Sequence, residues 1–277
     1  MIRVICGLIL AVALLPGAAL GQDVSVYTNV YDESGANDRK KPMPTAQSLT
    51  VFHAGKAYDY LPVIDEVIVF DPANHRFTIL NTARTMATEL DFAELRQMLK
   101  IARHEMEKRI SQLESKGTET HRQAAGQLRF QLDPKLTETY DADVRQLTLS
   151  AEEIRYEATG TDQAPQEAVE TYLRYADWMA RLNFVLHPNS LYPESRLLLN
   201  SGLRKRKLMP TVVRLNAEIG SHPVSLRAEH VISWELAAKD LSLIHHWETM
   251  LKKKSTRRVS FRDYQRKLLT AKIGKSR

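Results

Sequence analysis

The sequence predicts an α+β fold: an antiparallel, curved sheet built from hairpins, with three main helices packed on one face. Three groups of strand-like segments each end in a helix-like segment, and the helices begin near residues 92, 166 and 240. Short turns join the strands within a group, as expected for antiparallel neighbours. The three units share no matching residues, so the regular spacing indicates a layered design rather than a sequence repeat.

The first third of the chain predicts one strand and two hairpins. Val24 to Tyr31 is strand-like. Ser48 to Leu61 turns at Ala54-Gly55, and Glu66 to Leu80 turns at Asp71 to Asn74, where Pro and Asn favour a tight turn. The flanks of the second turn are rich in Val, Ile and Phe, which favour strands.

Three amphipathic helices are predicted. The first, about Phe92 to Lys116, opens with Asp91 and Glu94 in a capping-box arrangement. Its apolar residues recur every three or four positions, which indicates one buried stripe. The second and third helices run from about Pro165 to Leu186 and from about Asp240 to Lys254.

The middle of the chain is less regular. Leu128 to Leu132 and Gln146 to Thr159 are strand-like, and a short helix is predicted through Leu197 to Leu199. This helix leads to a basic run of four residues: Arg204, Lys205, Arg206 and Lys207.

The third strand pair comprises Thr211 to Ile219 and Val224 to Leu236, joined at Gly220 to Pro223. In its second strand apolar and polar residues alternate, and His230 interrupts the apolar face. A curved sheet of this kind would enclose a groove beneath its helices, and such grooves hold apolar ligands. The element order is similar to that of half-barrel lipoprotein carriers.

The first 21 residues have the features of a secretory signal peptide. Arg3 is followed by the apolar stretch Val4 to Leu15, and the segment ends in a small-x-small pattern. We therefore expect cleavage between Gly21 and Gln22 and a secreted or periplasmic mature protein. The alternative, a retained membrane anchor, is disfavoured because the apolar stretch is shorter than the roughly 20 residues of a spanning helix.

Cleavage would also remove the only cysteine, Cys6. The mature chain would then have no disulfide, no thiolate nucleophile and no zinc-thiolate site. It would also lack the first-position cysteine of a bacterial lipoprotein.

We predict three segments: the signal peptide 1–21, a single α+β domain over 22–251, and a partly helical basic tail over 252–277. The tail has 11 Lys and Arg against one acid, a charge of +10, whereas the rest of the mature chain carries 27 basic and 32 acidic residues, or -5. A tail of this charge favours anionic partners. The alternative is a solvated terminus whose cations complement a helix dipole. Nucleic acid is disfavoured as a partner, because the tail has no recognised binding motif.

An anionic envelope component is therefore one expected partner, and an apolar small molecule is the other. The residues that we expect to bind the anionic partner are the Lys and Arg side chains of two basic runs: Arg204, Lys205, Arg206, Lys207, Lys252, Lys253, Lys254, Arg257 and Arg258.

Catalytic motifs are absent from the sequence, and we predict no catalytic residue, metal or cofactor. His104-Glu105 lacks the second histidine of a zinc-protease motif. His53, His75 and Asp71 could together bind a metal ion, but ordinary turn histidines are commoner. The acid pairs Asp65-Glu66 and Glu152-Glu153 could act as glycosidase carboxylates, but the ends of hairpins are often acidic for solubility.

The tryptophans and tyrosines allow two interpretations. Trp178, Trp234 and Trp247, with Tyr58 and Tyr60, could form a carbohydrate platform. Core positions are favoured because Trp is usually well buried and because Trp234 and Trp247 fit the apolar faces of their elements.

Two segments carry a more specific resemblance. Residues 48–60 (SLTVFHAGKAYDY) and 66–81, which end in HRFTILN, resemble an uncharacterised family of secreted proteins from planctomycete-type bacteria. The resemblance implies bacterial export, and the family has no known activity that could be carried over to this chain.

Taken together, these features predict an exported, non-enzymatic binding or interaction protein. The alternatives are a periplasmic half-barrel carrier of a lipid-like ligand and a hydrolase without a recognisable motif.

Overall fold

The computed structural model describes residues 23–34, 43–187, 190–219 and 222–274. Its strands are β1 (Val24–Asp32), β2 (Ala46–His53), β3 (Lys56–Leu61), β4 (Glu66–Asp71), β5 (Arg76–Asn81), β6 (Met86–Asp91), β7 (Thr137–Asp141), β8 (Gln146–Ser150), β9 (Ile154–Thr161), β10 (Met209–Ile219), β11 (His222–Ser233) and β12 (Arg257–Arg258). Its helices are α1 (Phe92–Ser115), α2 (Glu119–Leu132), α3 (Gln166–Leu186), α4 (Glu194–Lys205), α5 (Ala238–Lys252) and α6 (Phe261–Gly274), with a 3-10 turn at Pro62–Ile64.

The strands form one 12-stranded sheet in the order β12-β6-β5-β4-β3-β2-β1-β11-β10-β9-β8-β7. Neighbouring strands are antiparallel except β12, which pairs parallel to β6. The predicted fold class is confirmed in its coarse form, a mixed α and β chain with a large, mostly antiparallel sheet. We predicted three main helices on one face of the sheet. The described residues contain six helices, and these pack on both faces.

The larger core lies on what we call the inner face. Here Val26, Phe52 and Phe77 of the sheet belong to one buried apolar cluster with residues of α1, α2, α3, α4 and α6. Aromatic side chains dominate the contact with α3: the Tyr175 ring lies 5.4 Å from that of Phe52, and the Trp178 ring stacks 3.9 Å from that of Phe92. The Trp178 ring also lies 6.4 Å from that of Phe77, so α3 packs on β2 and β5 of the sheet as well as on the start of α1.

The outer face has a smaller core beneath α5. Trp247 of α5 is buried and packs on Tyr58 and Tyr60, with ring centroids 6.3 and 5.4 Å apart. Because a strand exposes alternate residues to opposite faces, Val51 and Val67 belong to this cluster while their neighbours belong to the inner one.

Both predicted hairpins are confirmed, with turns at residues 54–55 and 72–75. These turns lie at what we call the upper end of the strands. The connections Pro62–Asp65 and Thr82–Thr85 lie at the opposite, lower end.

The predicted strand at Leu128 to Leu132 is wrong, because these residues form the last turns of α2. Ala125 and Leu132 are buried seven positions apart, which is a helical spacing, and the Thr118 hydroxyl accepts the first-turn N–H of His121. Gln146 to Thr159 is two strands, and α4 is longer than the predicted Leu197 to Leu199.

The short strands β6, β7 and β12 were not predicted. Every residue of β7 is exposed, so it has no apolar alternation to reveal it. Part of the basic tail is the helix α6, whose Phe261 and Tyr264 are buried in the inner core. Among the described residues, none of the helices combines the length and apolar character needed to cross a bilayer.

Candidate functional site

A polar pair lies on the inner face, where β1 meets β11. Thr28 and His230 are register partners, and the Thr28 hydroxyl lies 2.9 Å from the His230 Nδ1. The other ring nitrogen of His230, Nε2, is buried and has no hydrogen-bond partner among the described residues. Two further buried atoms share that property, Arg76 Nε and Asp240 Oδ1, but neither residue lies on the inner face.

Burial controls the protonation of His230. Desolvation lowers its pKa to about 4, and the positive charge of Arg196 acts in the same direction. The ring is therefore neutral at neutral pH, with one nitrogen that donates and one that accepts a hydrogen bond. The Tyr172 ring of α3 meets it edge-on at a centroid distance of 6.1 Å.

Arg196 of α4 supplies a positive charge next to this pair. Its charge lowers the pKa of His230 and opposes the burial-driven rise in the pKa of Tyr156 and Tyr172. Its Nε donates to Asn200 Oδ1 at 3.1 Å. The charge of the Arg196 guanidinium therefore acts on side chains from three elements, β9, β11 and α3.

A second polar group lies under α3, next to this one. Asp59 is buried, and desolvation raises the pKa of its carboxyl, while hydroxyls of Thr50, Tyr175 and Ser48 oppose the rise. The Thr50 hydroxyl donates to Asp59 Oδ1 at 2.9 Å. Burial and the neighbouring Asp59 raise the pKa of Tyr175 well above its ordinary value. Because every member has a protein partner, this group is suited to fixing α3 on the sheet.

An apolar strip extends along the inner face from His230 toward the lower end of the strands. We define it as Val30, Leu215, Leu226 and Ala228, which register pairing places side by side. All four are only half-buried, whereas Leu147 and Ala158 on the same face are fully covered. The inner face thus keeps an incompletely covered apolar surface next to an unpaired polar atom.

Such an arrangement suits a ligand with an apolar body and one polar end. The strip offers surface whose burial is favourable at roughly 25 cal/mol per Å². His230 Nε2 offers one hydrogen bond, and Arg196 offers a positive charge for an anionic or acceptor group. Among the described residues, no three His, Cys, Asp or Glu side chains cluster as metal ligands.

The two basic runs do not form one surface. Arg204 to Lys207 precede β10 at the upper end, whereas Lys252 to Lys254 precede β12 at the lower end. β10 and β12 are eight strands apart in the sheet, and each strand spacing is about 4.8 Å.

Several of these cations have protein partners. Arg204 forms ion pairs with Glu170 and Asp177 at 2.8 and 2.9 Å. Arg206 pairs with Glu138 at 2.8 Å and lies over the Tyr140 ring.

In the second run, Arg258 pairs with Glu89 at 2.9 Å, and Arg257 contacts the sulfur of Met86. Lys205, Lys207 and Lys252–Lys254 are exposed. The predicted cleavage site, Gly21 and Gln22, lies outside the described residues.

The histidines and acids of the metal-site and glycosidase hypotheses have other partners or are exposed. His53 Nδ1 is 3.0 Å from Asp23, and His75 is exposed in its turn. Asp71 is bonded to Asn74 and pairs with Lys56 at 3.4 Å. In the pair Asp65-Glu66, Asp65 is exposed while Glu66 is buried and accepts the Tyr264 hydroxyl.

The tryptophans divide between core and surface. Trp247 is buried, as the core interpretation predicted, but Trp234 is 38% exposed because β11 ends one residue before it. Trp178 is half-buried, with the guanidinium groups of Arg96 and Arg181 over its ring at 5.7 and 5.5 Å.

Two clefts are lined by other residues, and none of the four strip residues borders either of them. The first lies among α2, α4 and the lower ends of β9 and β10, and the second lies beside the turn at residues 54–55. Neither is lined by a buried side-chain atom without a partner, so we place the candidate site at the strip.

His230 was not predicted as a site residue, although the sequence carries a signal for it, since His230 interrupts the apolar alternation of its strand. The sequence did not point to Arg196, Tyr172 or Asp59, which lie on ordinary amphipathic segments. No protein-family model and no curated protein matches this sequence.

Proposed function

We propose that this chain is an exported, non-enzymatic binding protein that takes a lipid-like ligand on the apolar strip. The observation that carries the proposal is the incompletely buried row Val30, Ala228 and Leu226 beside the unpaired Nε2 of His230. A soluble ligand without an apolar body would leave this row uncovered. A pure hydrocarbon would leave the nitrogen unpaired, which is costly when buried.

The polar end of the ligand is best matched by a carboxylate or another hydrogen-bond acceptor. The guanidinium of Arg196 is permanently charged, and His230 is neutral and can donate from Nε2 when Nδ1 accepts from Thr28. A fatty-acid-like molecule has both parts. The export step rests on the signal-like segment Met1 to Gly21 and on the resemblance of residues 48–60 and 66–81 to secreted bacterial proteins.

The proposal is tested by titrating the delipidated protein with a fluorescent fatty acid. Ala228→Trp fills the strip with a large side chain, whereas Val231→Trp places the same side chain on the outer face of the same strand, where Val231 is 64% exposed. We expect Ala228→Trp to raise the Kd at least about tenfold, equivalent to about 1.4 kcal/mol. We expect Val231→Trp to leave the Kd unchanged.

Circular dichroism of both variants shows whether the fold is retained. Failure of the unsubstituted protein to bind the probe would contradict the proposal, as would equal loss of binding in the two folded variants.

A further inference from the structure

Four segments meet at the lower end of the strands, on the half of the sheet away from the apolar strip. The Thr82 N–H donates to the Asp65 carbonyl at 2.8 Å, which joins the β3–β4 connection to the β5–β6 turn. The Arg257 N–H donates to the Thr85 carbonyl at 3.0 Å, which joins the end of the basic run to the same turn. Arg84 donates to the carbonyl of Lys267, which adds α6.

An apolar tip projects from this end. The 3-10 turn Pro62–Ile64 has no buried residue, and Val63 and Ile64 are 72% and 41% exposed. Asp65 ends the turn in the left-handed conformation, and Asn81 Nδ2 donates to the Ile64 carbonyl at 3.1 Å. The turn is thus held in place by its backbone while its apolar side chains face outward.

Cations lie at the same end of the sheet as this tip. Lys252, Lys253 and Lys254 are exposed at the end of α5, and Arg84 is exposed in the β5–β6 turn. The acids nearby are fewer: Asp65 is exposed beside the tip, and Asp263 pairs with Arg266 at 2.6 Å. Glu66 is buried against Tyr264 and does not reach the surface.

We infer that this lower end is a docking surface for a bilayer that contains anionic lipids. An exposed apolar tip with exposed lysines at the same end of the sheet is suited to a membrane interface, because the tip inserts at the headgroup boundary while the cations meet anionic headgroups. A soluble polyanion would use the cations and leave Val63 and Ile64 in water. The inference does not depend on the fatty ligand of the apolar strip.

The test is cosedimentation of the full chain with vesicles, either of phosphatidylcholine alone or of an equal mixture with phosphatidylglycerol. The readout is the amount by which binding to the mixed vesicles exceeds binding to phosphatidylcholine vesicles, and how far salt reduces that excess. Purely apolar adsorption would give no such excess. Each cation near an anionic surface strengthens binding about fivefold. The triple variant Lys252→Glu, Lys253→Glu, Lys254→Glu should therefore weaken the excess by at least about tenfold.

Two further variants make the result specific. Lys205→Glu with Lys207→Glu reverses the charge of exposed lysines at the upper end and should leave more than half of the excess. Val63→Asp should weaken vesicle binding several-fold. Its binding to soluble polyphosphate should fall only by the effect of the one added negative charge.

The inference is overturned if the mixed vesicles show no excess, or if the Lys205 and Lys207 control loses as much as the lysine triple. It is also overturned if Val63→Asp has no effect, since binding would then be that of a soluble polyanion site. Retention of vesicle binding by Ala228→Trp would show that the docking surface and the ligand strip are separate.

Discussion

Thr28 and His230, 202 residues apart in the chain, face each other across the pairing of β1 with β11, and the Thr28 hydroxyl fixes one nitrogen of the imidazole. The other nitrogen, Nε2, is buried without a hydrogen-bond partner among the described residues, whereas buried polar atoms in a protein core are usually hydrogen-bonded.

The pH dependence of stability should report His230. Its folded pKa of about 4 lies below its ordinary 6.5, so between these values the unfolded chain binds more protons than the folded one. Stability contributed by neutral His230 is therefore complete above pH 6.5 and is lost as pH falls toward 4, with a slope of at most about 1.4 kcal/mol per pH unit.

Urea denaturation of the unsubstituted protein and of His230→Asn, repeated from pH 4.5 to 7, isolates this contribution. The difference in free energy of unfolding should change by about 2 kcal/mol across the range. Asp59 titrates in the opposite sense, because its folded pKa is raised, but it is common to both proteins and cancels. A difference that stays constant with pH would show that His230 is not the buried neutral group described here.

The Tyr264 hydroxyl donates to buried Glu66 and holds α6 on the inner face. We expect Tyr264→Phe to lower the free energy of unfolding by about 1 to 3 kcal/mol, because the Glu66 carboxyl loses a buried donor. Tyr27→Phe removes a hydroxyl from a side chain that is 39% exposed, and should change stability by less than about 0.5 kcal/mol. Equal effects of the two substitutions in thermal unfolding would contradict the role given to Tyr264.

Gly160 and Gly126 should respond in opposite directions to alanine. A Cβ at Gly160 would lie 2.8 Å from the Met209 carbonyl oxygen, at the start of the β9–β10 pairing, and backbone there has little room to move. We expect Gly160→Ala to destabilise by about 1 to 3 kcal/mol. Gly126 lies in α2 with open space around it, so Gly126→Ala should stabilise by up to about 1 kcal/mol. Chemical denaturation of both variants checks the signs, and a tolerated Gly160→Ala would refute the close approach.

Trp247 should carry most of the binding between α5 and the outer face. It is buried against Tyr58 and Tyr60, so Trp247→Ala should cost about 3 to 5 kcal/mol. Trp234→Ala is the matched control, since that side chain is 38% exposed, and it should cost far less. If the two unfold at the same denaturant concentration, α5 is not anchored as the structure shows.

Local signals in the sequence account for much of the sheet and for the longest helices. The hairpins at residues 48–61 and 66–80 follow from turn chemistry between strongly β-forming flanks. Asp91 immediately precedes α1, as its sequence pattern predicted, but its side chain makes no capping hydrogen bond.

Signals that depend on tertiary packing were missed. The apolar residues at the end of α2 suit either a strand or a helix, and packing against α1 decides the outcome. The outer placement of α5 could not be predicted, because its amphipathic stripe does not say which face of the sheet it covers. Arg196 and His230 lie 34 residues apart on different elements, so only the assembled fold brings them together.

The central claim is that a lipid-like ligand occupies the apolar strip with its polar end at His230 and Arg196. A crystal of the protein with a fatty acid that carries bromine on its terminal carbon tests it most directly. The anomalous signal of bromine should lie on the inner face beside Leu226 and Ala228, with the carboxylate within hydrogen-bond distance of His230 Nε2. A bromine position on the outer face, or in the cleft among α2, α4 and β9, would contradict the account.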